Sequence, residues 1–116
     1  MDTVLGALRR LHAEGWPALR LVCFFNGDEE LDSPGSRSCL AEMAGGAVAA
    51  LVVEAAVART PTSWRPWASP TLDGLGPAGG GYHSAAEFMS IPSLYRRVEL
   101  LAAFLRVFSL AERALG

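Results

Sequence analysis

The sequence predicts a small α/β fold with about three mainly parallel strands between helices. Residues 18–25 and 47–53 are near-continuous apolar runs with branched and aromatic side chains, the pattern of strands covered on both faces. An amphipathic stretch precedes the first run, and a helix-like segment separates the two. The order helix, strand, helix, strand takes a right-handed crossover and so gives a parallel pair. On that pairing, the acids that end the runs, residues 28–30 and Glu54, leave at one edge of the sheet. Open α/β folds place their ligands at such an edge.

Each element has its own signal. Residues 3–14 carry Val4, Leu8 and Leu11 at helical spacing, with Leu5 at the border of the stripe and Arg9 and Arg10 off it. Asp2 or Thr3 is a candidate cap, and Gly15 followed by Pro17 stops the helix. Residues 36–44 form a short helix that ends at Gly45-Gly46. Residues 57–70 hold Pro61, Pro66 and Pro70 with Trp64 and Trp67; the prolines remove donors and restrict their neighbours, so this is an irregular connection whose tryptophans pack as filler. Residues 71–75 are a short third strand. In Gly76-Pro77-Ala78-Gly79-Gly80-Gly81-Tyr82-His83-Ser84, three successive glycines favour neither helix nor strand, so the backbone there approaches something closely. Phosphate cradling is a poor alternative, because no Gly-Lys-Ser/Thr follows. The last helix starts at Pro92 or Ser93, with Leu94, Val98, Leu101, Leu105, Phe108 and Ala111 on one stripe. Arg96, Arg97, Glu99 and Arg106 lie away from much of it.

Composition narrows the function. With 116 residues the chain is one domain, 1–116, with a modest core. A net charge of −2 leaves no basic footprint for nucleic acid. Hydrophobic residues make up 51% and charged residues only 19%, so part of the surface is expected to be covered by another chain. Three short strands also leave two open sheet edges, which invite pairing. The expected partner is a second copy or a related chain. Cys23 and Cys39 occur without a signal-peptide pattern, which points to reduced thiols and a cytoplasmic protein. No apolar run is long enough for a membrane span.

The most informative stretch is Asn26-Gly27-Asp28-Glu29-Glu30-Leu31-Asp32-Ser33-Pro34-Gly35-Ser36-Arg37. Three adjacent carboxylates repel one another, so metal, arginine or water must screen them. A solvated acidic turn is the plain alternative. Two further segments share the pattern of an acid or imidazole at an element's end: Ala49-Ala50-Leu51-Val52-Val53-Glu54-Ala55, and Leu72-Asp73-Gly74-Leu75 running into the loop that carries His83.

These three segments, in this order, resemble the di-zinc exopeptidase and deacylase family, which includes glutamate carboxypeptidase, acetylornithine deacetylase and succinyl-diaminopimelate desuccinylase. The first resembles the family's "DEE-G-S-x-G-S-R" segment, the second its strand ending in a metal-binding acid, and the third its C-terminal histidine loop. The resemblance implies a small three-layer sandwich with a short, mainly parallel sheet, a remnant of the catalytic domain. Residues 57–70 replace the family's lid domain. It implies that Glu29 matches the general base, that Glu30 and His83 match ligands of one zinc, and that Glu54 matches a ligand of the other. Asp28 and Arg37 take orienting or turn-fixing roles, and together with Tyr82 and Ser84 are the candidates to meet substrate or hold the ligands in place; Thr3, Asp32 and Ser36 read as caps and turn formers, and His12 as a surface residue.

The departures shape the expected function. The family's early His-x-Asp strand, and its metal-bridging Asp in a Met-Lys-Gly-Gly context, have no counterpart here. Ala55 stands where the family usually has proline, and Asp32 replaces a glycine. Glu30, Glu54 and His83 alone leave a zinc site short of ligands. No cofactor is expected in the isolated chain, and zinc only if a partner completes the site. The expected function is therefore a subunit of an enzyme acting on an amino-acid-derived small molecule. Glu29 serves as general base for non-hydrolytic transfer or cyclisation, its pKa raised by burial beside the other acids. The alternatives are an inactive binding subunit, or a zinc-dependent deacylase or peptidase with partner-supplied ligands. Arg37, Arg65 or Arg97 could fork a substrate carboxylate, although a solvated surface role suits each.

Overall fold

The computed structural model describes residues 1–16, 20–55 and 70–115, apart from the side chains of Arg113 and Leu115. In chain order these form α1 (Asp2–Ala13), a 3₁₀ turn (Glu29–Leu31), α2 (Arg37–Ala44), β1 (Ala50–Leu51), β2 (Thr71–Leu72), β3 (Gly79–Gly80), β4 (Phe88–Met89) and α3 (Ile91–Leu115). The fold is mixed helix and strand. Among the described residues the sheets are two pairs, β1 parallel to β2 and β3 antiparallel to β4.

Helix α1 forms where the apolar periodicity requires it, but its start differs from expectation. Met1 occupies the cap position, no side-chain bond closes it, and Thr3 is buried within the first turn. Its end is fixed by backbone geometry. Gly15 turns left-handed at φ 68°, its N–H donates to His12 O at 3.0 Å, and the Trp16 N–H donates to Leu11 O at 3.0 Å. This is a Schellman stop, in which orphan carbonyls of the last turn are satisfied and the flanking apolar residues meet. Leu11 is in the core, and Trp16 packs against the same cluster.

That core lies between α1 and α3. Ala7 and Leu11 meet Leu101, Ala102, Leu105 and the incoming Leu75, with Val4, Trp16, Leu51 and Val53 packed against them. Gly6 allows the helices this close: a Cβ there would sit 2.9 Å from Val98 Cγ2. At the rim, Arg106 forks onto Glu14 at 2.8 and 2.6 Å, and Arg10 pairs with Glu99. These exposed pairs set helix direction more than they add stability. Helix α3 begins one residue before the expected Pro92. The Ser93 N–H reaches Ser90 Oγ at 3.4 Å, and the Ser93 hydroxyl accepts the Ala78 N–H at 2.5 Å.

Three expectations need correction. Residues 20–25 form no strand and are exposed; residues 17–19, the start of that predicted element, lie outside the described residues. A strand exists only when a neighbour supplies its ladder, and no described segment does so for 20–25. The parallel pair forms instead between the second and third predicted strands, with Ala50 opposite Thr71 and Leu51 opposite Leu72. The pairing continues past the regular strands through Val52 N–H to Leu72 O at 2.8 Å and Gly76 N–H to Glu54 O at 2.6 Å. The sheet edge that residues 28–30 were to share with Glu54 is consequently not formed. The second run is half-buried apart from the exposed Val48, because only one small core supports it. The Trp/Pro connection lies outside the described residues, except for Pro70, whose carbonyl accepts the Ala50 N–H.

With so small a core, Leu11 carries much of it; its side chain is 1% exposed. Leu11→Ala is expected to destabilise the chain by about 2–5 kcal/mol, a large part of a typical domain's stability. Urea unfolding followed by helical circular dichroism measures this. A loss below roughly 1 kcal/mol would show that the α1–α3 contact is not the core.

Candidate functional site

The acidic segment is organised around Asp28. Its Oδ1 accepts the Ser36 hydroxyl at 2.6 Å, and its Oδ2 accepts the backbone N–H groups of Gly35 at 2.7 Å and Ser36 at 3.2 Å. The Asp28 N–H donates to Asn26 Oδ1 at 2.9 Å, and Asn26 Nδ2 donates to Ser33 Oγ at 2.7 Å. The Asp28 carbonyl accepts from both Leu31 and Ser33. Asp32 and Ser33 follow at φ 64° and 53°, two consecutive left-handed residues that turn the chain into α2. Such conformations cost energy in non-glycine residues and persist only where surrounding bonds hold them. Arg37 adds one, donating from Nη2 to the Asp32 carbonyl at 2.9 Å. Ser36 stands at the cap position of α2 but makes no cap bond; its hydroxyl serves Asp28 instead.

The Ser36 hydroxyl, followed by the N–H groups of Gly35, Ser36 and Asp28 itself, holds the Asp28 carboxyl below its ordinary value, while partial burial opposes them. A carboxyl with a lowered folded pKa contributes stability above its unfolded pKa and loses it as the pH falls through the folded value.

The glycine loop meets its own chain. A Cβ on Gly79 would strike the Phe88 carbonyl, and Gly81, at φ 65°, lies equally close to the Ala86 carbonyl. The close approach read from the sequence is thus to β4 and the turn before it. That turn is fixed by Ser84, whose hydroxyl donates to Gly81 O at 2.6 Å and accepts the Ala86 N–H at 3.2 Å. His83 is left-handed at φ 61°, and its N–H reaches Glu87 Oε2 at 3.3 Å.

These two loops meet at one point. His83 Nε2 lies 3.7 Å from Glu30 Oε2, with the imidazole side chain 59% and the carboxylate 71% exposed. Glu29 precedes Glu30 in the same 3₁₀ turn and is also exposed, so the shelter foreseen for the base is not supplied by the described residues. Glu54 is half-buried, and its carbonyl is tied to Gly76. A cleft of about 310 Å³ lies beside the histidine loop, lined by Ala55, Pro77, Tyr82, Glu87, Phe88 and Met89. The Tyr82 hydroxyl is buried without a hydrogen-bond partner among the described residues.

A protein zinc site takes three or four ligands. Among the described residues no group of three His, Cys, Asp or Glu side chains converges, so Glu30 and His83 form a pair and not a site. These two donors, among the described residues, are fewer than a zinc site takes. Two contributors escaped the sequence reading. Asn26 and Glu87 stand in short polar turns where their side chains bond to nearby groups, and the Asn-Gly pair and the four-residue spacing from His83 were the available signals. No family model, curated protein or solved structure matches the chain, so the family resemblance rests on the three motifs.

Ser36→Ala removes the strongest of the bonds that lower the Asp28 pKa. The variant's Asp28 is expected to titrate nearer the ordinary carboxylate value of about 3.9, read by carboxyl-carbon NMR. In the native chain, the order of the loop is fully present above that pH and is lost as the pH falls on through the lowered folded value. Asp28→Ala should also speed tryptic cleavage after Arg37. Equal cleavage of variant and native chain would place the hold on this loop elsewhere.

Proposed function

We propose that the chain is one subunit of an enzyme acting on an amino-acid-derived small molecule, with Glu29 as the general base. The observation that carries this reading is the meeting of Glu30 and His83 at 3.7 Å, which joins two of the three motif segments beside a cleft. Asp28 holds the turn that presents Glu29 and Glu30. A general base works best where water is excluded and its target proton is within hydrogen-bond reach. The openness of the site therefore calls for a covering chain, a second copy or a related one, in the cytoplasm. In that assembly the short strands complete the mainly parallel sheet of a three-layer sandwich, the remnant of a di-zinc peptidase catalytic domain.

In the proposed reaction, Glu29 takes the proton of a substrate amine or hydroxyl as that atom attacks an acyl carbon. The proton then passes to the departing group, which regenerates the carboxylate. His83 and Glu30 orient the polar end of the substrate, and the apolar cleft wall of Pro77, Phe88 and Met89 receives its body. The product is a transferred or cyclised acyl compound.

A second reading follows from the same pair. Glu30 and His83 would be two donors of a zinc site whose remaining ligands come from the partner, giving a hydrolytic deacylase or peptidase. The isolated chain is expected to hold well under one zinc per molecule when purified without chelator, and to leave N-acetyl amino acids uncleaved. Two tightly held zinc ions with chelator-sensitive hydrolysis would reverse the proposal.

With the native partner present, Glu29→Gln is expected to lower kcat by roughly 10²–10⁴-fold, the usual contribution of a general base, and His83→Ala to raise KM. Rates unchanged in both variants would leave the chain an inactive binding subunit.

A further inference from the structure

Residues 20–25 combine two features that conflict in water. Leu21, Val22, Phe24 and Phe25 are all exposed, Val22 at 56% and Phe25 at 53%. No hydrogen bond joins the backbone of these residues to any other described part of the chain. Among the described residues the segment thus offers a row of donors and acceptors without partners beside exposed apolar side chains, which together template the addition of a strand.

The charges at its ends select the occupant. Arg20 lies at one end and the acids Asp28, Glu29 and Glu30 just past the other, with no charge between Leu21 and Phe25. Parallel self-pairing would stack acids on acids and Arg20 on Arg20. Antiparallel self-pairing brings Arg20 of each copy toward the acids of the other. Centred on Cys23, it sets Leu21 opposite Phe25 and Val22 opposite Phe24, so that each pair joins an aromatic to an aliphatic side chain, and branched Val22 with Phe24 is a favoured cross-strand combination. The segment is its own complement in both shape and charge.

We propose that residues 20–26 pair in antiparallel register with the same residues of a second copy of this chain, the two-fold axis passing at Cys23. The inference rests on the assembly part of the proposed function and names its interface. It also accounts for a strand-like sequence without a strand: the ladder that the run was built for is intermolecular. Because residue 26 leads directly into the Asp28 turn, the second copy arrives next to Glu29 and Glu30.

Cross-strand Cα atoms lie about 4.5–5.5 Å apart, within the range a disulfide accepts. In a Cys39→Ser background, mild oxidation with diamide is expected to convert most of the chain to a dimer linked through Cys23. The converse variant, Cys23→Ser with Cys39 kept, should stay uncrosslinked. Light scattering supplies the second readout. Cys23→Lys alone and Cys23→Glu alone should each weaken dimerisation by roughly tenfold, since like charges then face each other across the axis. Mixing the two variants should restore the dimer. Helical circular dichroism of each variant should match the native chain, because the segment is not bonded to the α1–α3 core.

A native chain that stays monomeric at tens of micromolar overturns this interface and self-assembly together. A dimer that survives both single variants without Cys23 crosslinking keeps the assembly and refutes this strand as its seam. Loss of Glu29-dependent activity bears only on the catalytic reading, and leaves the crosslink and mixing results to decide the interface.

Discussion

The packing of α1 on α3 is the constraint on which the other elements depend. Ala7 and Leu11 on one helix and Leu101, Ala102 and Leu105 on the other account for most of the fully buried apolar side chains among the described residues. The strands are too short to bury a face of their own, since an isolated pair of two residues cannot stand in water. β1 and β2 persist because Leu51, Val53 and Leu75, in and beside them, lean on the helix pair. β1 and β2 are therefore positioned from below by the helices, and Glu54 and the glycine loop lie where that contact leaves them. Stability and site geometry share one small source.

The acidic turn works on a different principle. It has no apolar anchor: Leu31 is exposed, and Ser33 is the buried residue of the segment. Its order comes from one carboxylate that collects a hydroxyl and two backbone N–H groups. A charged acceptor makes stronger hydrogen bonds than a neutral one, so Asp28 can hold two left-handed residues that would otherwise relax. This division of labour explains why three adjacent acids are tolerable. Asp28 is spent on structure, Glu30 turns toward His83, and Glu29 is left facing solvent.

The parts legible in the sequence were those with local causes. Gly15 ended α1 because a left-handed residue was needed there, whereas Gly45 closes α2 in the right-handed region at φ −61°. Of the stripe predicted on α3, Leu101 and Leu105 are in the core and Val98 faces Gly6, because the helix period put them there, while Leu94 and Phe108 are half-buried and Ala111 at its end is exposed. The meeting of Glu30 with His83 was reached through the motif resemblance, as periodicity says nothing about two loops far apart in the chain. The first predicted strand failed for a non-local reason. An apolar run at residues 20–25 shows that a segment suits burial, but not whether a neighbour exists to bury it. The same gap explains the misplaced parallel pair, because strand partners are chosen in three dimensions and the run order alone suggested adjacent ones. The role of Asp28 was partly visible as a turn former; that it would draw Ser36 away from capping α2 was not, since two local bonds compete for one hydroxyl.

The exposure of the run and the openness of the site have a common origin. A core limited to one helix pair cannot cover both the 20–25 segment and the loops at residues 28–30 and 82–84. Covering either from outside affects the other, because residue 26 is bonded through its side chain to Ser33 and to the Asp28 N–H. Fixing the backbone up to Asn26 in the proposed ladder would remove freedom from the turn that carries Glu29, so part of the entropy of ordering that turn would be met by that assembly. A catalytic group on a short loop gains precision when the element feeding it is rigid. In this chain that element is the exposed run 20–25, which has no ladder among the described residues, so the proposed pairing there would couple to the geometry of Glu29 and Glu30.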